Sequence, residues 1–190
     1  YAFLNCHNLR KIEMGNDITD IGERAFGSDE VEYQLGPIIP MSLELSELPE
    51  KIRNIGPYAF YYGGPNITIS TLPSELVSIG TWAFSDCPGL RIQEFNVETI
   101  GKVAFYNSGN IINTIVLGPK TNAIAFNDDT YDETGELVTA NQFNKAFHNY
   151  GTGTAMNLII DPTSPFFEQM QLLYSEEEDL GAKIAYVLGI

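Results

Sequence analysis

The chain is poor in the residues that carry chemistry. It has two histidines and two cysteines in 190 residues. No Cys-x-x-Cys, His-Glu-x-x-His or phosphate-loop motif occurs, which removes the common redox, zinc and nucleotide signatures. Cys6 and His7 are adjacent, but neighbouring side chains point apart. Nucleophilic catalysis needs a base within hydrogen-bond reach and a third group to orient it. His148 has no cysteine near it in sequence. The run Asp128, Asp129, Asp132, Glu133, Glu136 departs from calcium-loop spacing, and Gly135 is misplaced for one. These absences point to no enzyme, no cofactor and no metal.

Positive charge is scarce too. Ten basic residues stand against 25 acidic ones, a formal charge of −15. A polyanionic surface repels phosphate backbones and anionic lipid, which excludes nucleic acid as a partner and disfavours a membrane surface. No run of 18 apolar residues exists, so this segment does not insert into a membrane as a helix. No secretory leader is recognisable at Tyr1. Two cysteines identify no redox compartment.

What the chain has is repetition. Ile79-Gly80-Thr81-Trp82-Ala83-Phe84 recurs at Ile21–Phe26, Ile55–Phe60 and Ile100–Phe105. Tyr1-Ala2-Phe3 and Lys145-Ala146-Phe147 match its end. Phe3, Phe26, Phe60, Phe84 and Phe105 are spaced by 23, 34, 24 and 21 residues. A short period with one outlier signals stacked supersecondary units, one of which carries an insertion. Upstream of each Ile-Gly lies an apolar residue followed by Pro or Gly, as in Leu48-Pro49, Leu72-Pro73 and Met14-Gly15, then an apolar residue at Ile52, Leu76 or Ile18. Apolar positions three apart, punctuated by Gly and Pro, fit short inward segments joined by turns.

One such unit cannot bury its apolar side alone. Stacking units puts equivalent residues roughly 4.7–5 Å apart and makes the Phe residues an internal ladder. Gly after Ile suits either a positive φ or a close backbone approach. The strands expected are Leu9–Met14, Ser42–Ser46, Asn66–Leu72, Leu90–Phe95, the fifth-unit segment Ile112–Pro119 around Ile115, and Asn157–Asp161. Cys6 and Cys87 lie three units apart, about 15 Å along such a stack, beyond the roughly 7 Å Cα limit of a disulfide. Two buried free thiols are expected.

The pattern Leu-Pro-x-x-Ile-x-x-Ile-Gly-x-x-Ala-Phe-x-x-Cys-x-x-Leu resembles the BspA-like (Treponema pallidum type) leucine-rich repeat. Phe84-Ser85-Asp86-Cys87-Pro88-Gly89-Leu90 and Phe3-Leu4-Asn5-Cys6-His7-Asn8-Leu9 carry its second half. Asp29, Gly63 and Ser108 replace the cysteine elsewhere. The resemblance implies a repeat solenoid. It would be a right-handed coil with short parallel strands on one face and turns or short helical segments on the other. It also implies a non-enzymatic adhesin-like module, extracellular or on a cell surface, that binds a protein or glycan. The alternative is a structural part of a surface or phage-tail assembly, in which the repeats act as spacer and subunit contact.

On that reading residues 1–161 are the repeat array, with insertions at about 27–40 and 125–143. At the second, two registers compete: Phe126 lies 21 residues from both Phe105 and Phe147, which would give two regular units, whereas the preferred insertion makes Ile124 the hexad Ile and Ala146-Phe147 its displaced end. Residues 162–190 form a C-terminal cap. Within it Ser164 caps a helix that has Pro165 at its first position, and the apolar stretch from Lys183 packs back or runs on. A stack beginning inside a repeat at Tyr1 exposes its ladder, so a longer protein is expected, with any signal or anchor outside this segment. Two rows are candidate binding residues. One is an outer aromatic strip of Tyr58, Tyr61, Trp82 and Tyr106, residue types that dominate binding hot spots. The other is the sheet-face row Arg10, Glu44, Thr68, Gln93 and Asn113.

Overall fold

The computed structural model describes residues 1–28, 39–109, 113–125, 146–147, 157–176 and 178–188. The strands in chain order are β1 (Asp20–Ile21), β2 (Asn54–Ile55), β3 (Ser78–Ile79), β4 (Glu94–Phe95), β5 (Thr99–Ile100), β6 (Thr114–Leu117), β7 (Ala123–Ile124) and β8 (Asn157–Ile160). Helices α1 (Pro165–Leu173) and α2 (Leu180–Leu188) follow. All strand pairs are parallel, in two sheets of order β1-β2-β3-β5-β7 and β4-β6-β8.

The first sheet is made by the hexad itself. Ile21, Ile55, Ile79, Ile100 and Ile124 pair in register, and all five are buried. The second sheet contains the expected Leu90–Phe95 and Asn157–Asp161 segments and the one around Ile115. An isolated parallel bridge joins Leu45 to Ile67 in the two expected strands before them. Strands on a single face is therefore corrected to strands on two. Leu9–Met14 forms no strand. Its backbone is held by bonds such as Glu44 N–H to the Arg10 carbonyl at 2.8 Å.

The phenylalanine ladder runs through the core. Ring centroids are 5.2 Å apart for Phe3–Phe26, 5.4 Å for Phe26–Phe60, 5.0 Å for Phe60–Phe84, 5.6 Å for Phe84–Phe105 and 5.4 Å for Phe105–Phe147. Adjacent planes are within 9° of parallel. A main-chain ladder holds them. Each Phe N–H donates to the Ala carbonyl of the following repeat at 2.8–2.9 Å, from Phe3 to Ala25 through Phe105 to Ala146. Phe60, Phe84, Phe105 and Phe147 are fully buried, so cutting an interior rung back to Ala costs about 3–5 kcal/mol.

The hexad glycine serves close approach, not positive φ. A Cβ on Gly56, Gly80 or Gly101 would lie 2.7, 2.5 or 2.5 Å from a backbone nitrogen of the preceding repeat. The positive φ comes two residues later, at Arg24 (53°), Tyr58 (56°), Trp82 (58°) and Val103 (48°). Left-handed backbone costs a non-glycine residue roughly 1–2 kcal/mol. Neighbouring repeats hold it in place. Arg24, Tyr58 and Trp82 N–H groups donate to the carbonyls of Pro57, Thr81 and Lys102 at 2.9, 2.9 and 3.0 Å.

At the last hexad, Ala125 occupies the glycine position after Ile124. Ala146 N–H donates to the Ala125 carbonyl at 2.9 Å, as Ala25 does to Gly22 at 3.2 Å. Phe147 is then the next rung. The acidic run from Asp128 to Glu136 and His148 lie outside the described residues.

Helix α1 packs against the β7 end of the core. Ser164 caps α1, its Oγ accepting from Phe167 N–H at 3.2 Å, with Pro165 first in the helix. Phe166 and Met170 are its buried face, and Phe166 N–H donates to the Thr121 carbonyl at 3.1 Å. Asp179 Oδ1 accepts from Ala182 N–H at 2.9 Å at the start of α2. Ile184 of α2 joins the same core.

Candidate functional site

Four half-buried side chains from successive repeats line up on the outside of the Phe ladder. The Arg24 guanidinium sits 4.7 Å over the Tyr58 ring. Tyr58 stacks on Trp82 at 6.3 Å and 10°. Trp82 meets Tyr106 at 5.7 Å and 62°. The left-handed position explains the row, because it turns each side chain outward at one place in each repeat. Arg24, Tyr58 and Trp82 share that place. In the next repeat it holds Val103, which is buried, and Tyr106 supplies the ring.

Tyr61 is corrected from the outer strip to the layer beneath it. It is 8% exposed and meets Tyr58 at 5.4 Å and Trp82 at 5.7 Å edge-on. The residue after the buried Phe still faces partly inward, which the spacing alone did not show. Arg24 was missed, although it occupies the same hexad position as Tyr58 and Trp82. Because Tyr58 lies between Arg24 and Trp82, its ring faces are taken. The strip offers aromatic edges.

The sheet-face row lies on the second ladder. Thr68 N–H donates to the Leu45 carbonyl at 2.7 Å, Val116 N–H to Gln93 at 2.7 Å and Asn157 N–H to Asn113 at 2.9 Å. Arg10, Glu44, Gln93 and Asn113 are exposed, and Thr68 is half-buried. Glu44 pairs with Lys11 at 3.8 Å.

A polar row on the first sheet was also missed. It is formed by the residue before each hexad Ile. Asn54 Nδ2 donates to Asp20 Oδ1 at 2.6 Å, and Ser78 Oγ donates to Asn54 Oδ1 at 2.8 Å. Thr19 Oγ1 donates to Asp20 Oδ2 at 2.6 Å. These bonds, Thr19 first and then Asn54, hold the Asp20 carboxyl below the usual range.

The two thiols differ. Cys87 is buried and free, as expected, but Cys6 is exposed. Cys87 Sγ donates to the Phe60 carbonyl of the repeat before it at 3.2 Å; among the described residues Cys6 has no equivalent partner. His7 Nδ1 is buried without a hydrogen-bond partner, so it does not hold the Cys6 thiol. Among the described residues no group of three His, Cys, Asp or Glu side chains is placed to hold a metal ion. No described helix is long and apolar enough to cross a membrane.

No curated protein and no solved structure matches the chain. A family model for the BspA type Leucine rich repeat region matches residues 1–33 and 41–134 in six copies. With the in-register Ile and Phe ladders beside that match, this chain belongs to the BspA-type leucine-rich repeat family.

Proposed function

We propose that this chain is a non-enzymatic, adhesin-like interaction module, displayed outside the cell or on its surface, and that it binds a protein partner along Arg24, Tyr58, Trp82 and Tyr106. The array at 1–161 is a right-handed solenoid, and 162–190 is its cap. The sequence at about 125–143 is read as an insertion between Ile124 and the displaced hexad end Ala146-Phe147. The Ala146–Ala125 hydrogen bond at 2.9 Å supports that register.

The observation that carries the binding reading is the alignment of the four side chains through consecutive repeats. Tyr, Trp and Arg concentrate binding energy because they desolvate much surface with few torsions. A sugar ring stacks on an open aromatic face, and the Tyr58 faces are filled, so the strip favours a protein over a glycan. The test is a binding panel of purified extracellular and surface proteins against the chain and its Tyr58→Ala and Trp82→Ala variants. Either variant should weaken a bound partner at least tenfold, with folding checked by thermal melting. A partner whose affinity neither variant changes would refute the strip.

The assembly reading also has one observation in its favour. β8 is the edge of its sheet, and Ile159 on it is 54% exposed. An apolar edge strand suits a subunit contact. Concentration-dependent sedimentation that Ile159→Lys abolishes would support that reading, and a monomer at all concentrations would oppose it.

A further inference from the structure

We infer that the recess lined by Arg91 and Lys120 is a binding site for an acidic sugar, a uronate-type carboxylate flanked by hydroxyls. The recess, of about 640 Å³, lies between the turn at Ser70–Ser74, the β4 segment and Lys120. It lies apart from the aromatic strip.

The first argument is charge. The chain carries 25 acidic residues, and Lys11, Arg24 and Lys51 are each paired with a carboxylate. Among the described residues Arg91 and Lys120, like Arg10, Arg53 and Lys102, make no ion pair, and Arg91 and Lys120 share one recess. Lys120 Nζ donates to the Ser74 main-chain carbonyl at 2.8 Å, which fixes the ammonium at the recess without neutralising it. A guanidinium fork and a fixed ammonium on one recess suit a carboxylate.

The second argument is the neutral lining. Ser70, Thr71, Gln93 and Asn96 supply hydroxyls and amides. Asn96 is held in place, its Oδ1 accepting from Lys120 N–H at 2.9 Å and its side chain filling the space that a Cβ on Gly118 would take at 2.7 Å. Its amide nitrogen remains a donor. No aromatic anchor lines the recess, in contrast to the core of a protein interface. A hydroxyl-rich ligand with one carboxylate satisfies this set better than a peptide.

The equivalent turn one repeat earlier supplies a contrast. Leu48-Pro49 there matches Leu72-Pro73, and that recess, of about 680 Å³, is lined by Glu13, Glu44, Glu47 and Glu50. Its one cation, Lys51, is held by Asp17 at 2.6 Å. It repels the ligand that the Arg91 recess attracts, so one site per chain is expected. Glu94 is the single carboxylate in the lining of the Arg91 recess and opposes binding.

The test titrates sodium glucuronate and a glucuronate-terminated disaccharide into the full chain at low ionic strength, following amide shifts by NMR. Glucose and a glutamate-rich peptide serve as comparators. Saturable shifts at Arg91, Gln93, Asn96 and Lys120 with one-to-one stoichiometry are expected. Arg91→Gln and Lys120→Gln should each weaken binding about tenfold, and Glu94→Gln should strengthen it several-fold. Trp82→Ala should leave it unchanged, which separates this site from the strip. No shift at the recess, equal binding of glucose, preferred binding of the peptide, or indifference to both cation variants would each overturn the inference.

Discussion

The thiol of Cys87 donates to the carbonyl of Phe60, the ladder residue of the preceding repeat, at 3.2 Å. Ser108, one repeat later, makes the same bond to Phe84 at 2.6 Å. The degenerate cysteine position is thus a donor position, and a hydroxyl serves it as well as a thiol. Where it is Gly63, Ile67 Cδ1 and the Cys87 sulfur of the next repeat fill the space, 2.5 and 2.8 Å from where a Cβ would be.

Cys87→Ser should therefore hold stability within about 1 kcal/mol. Cys87→Ala strands the Phe60 carbonyl and should cost about 1–3 kcal/mol in urea unfolding. Ser108→Ala should fall at the upper end of that range, because its Oγ also accepts from Cys87 N–H at 2.9 Å.

Thiol labelling should separate the cysteines. Cys6 is exposed and should react with a disulfide reagent in the native protein, whereas Cys87 should react only on unfolding. Burial pushes the Cys87 thiol well above its usual range. A raised folded value means that this group's stabilisation is full below the unfolded thiol value of about 8.5 and falls as pH rises beyond it. Melting temperature should drop on alkalinisation more in the parent than in Cys87→Ser.

Gly80→Ala and Gly22→Ala make a matched pair. The first drives a Cβ to 2.5 Å from Pro57 N, while the second meets nothing within 4 Å. Gly80→Ala should cost about 1–3 kcal/mol by overpacking against backbone that cannot yield. Gly22→Ala should be neutral or slightly stabilising. Equal effects in thermal melts would contradict the register.

The Asp20 carboxyl is held low by Thr19 and Asn54. For a depressed acid, the stabilisation is present above the unfolded value of about 3.9 and is lost as pH falls through the folded one. Asn54→Ala removes one of the two donors. In a carboxyl NMR titration it should move the Asp20 midpoint upward, and an unmoved midpoint would show that the bond does not form in solution.

The ladder, the Ile register and the Ser164 cap were legible because each rests on a local pattern repeated at a fixed offset. The second sheet was legible as segments but not as a separate face, since apolar periodicity does not say which wall of a repeat a segment forms. The strip was half legible. Trp82 and Tyr58 announced it, but Arg24 joins only because a left-handed turn directs that position outward, and such a turn leaves no glycine to mark it. The exposure of Cys6 was not legible, because the repeat pattern alone marks its position as buried. The Arg91 recess draws on residues from three repeats, Thr71, Gln93 and Lys120 among them, and no single motif contains it.

Every surface described here depends on the Phe side chains lying one above another. Inter-ring NOEs in a Phe-labelled sample test this directly. The stack predicts contacts for Phe26–Phe60, Phe60–Phe84, Phe84–Phe105 and Phe105–Phe147, at centroid separations of 5.0–5.6 Å. Absence of the Phe60–Phe84 contact, the shortest of the four at 5.0 Å, would contradict the account.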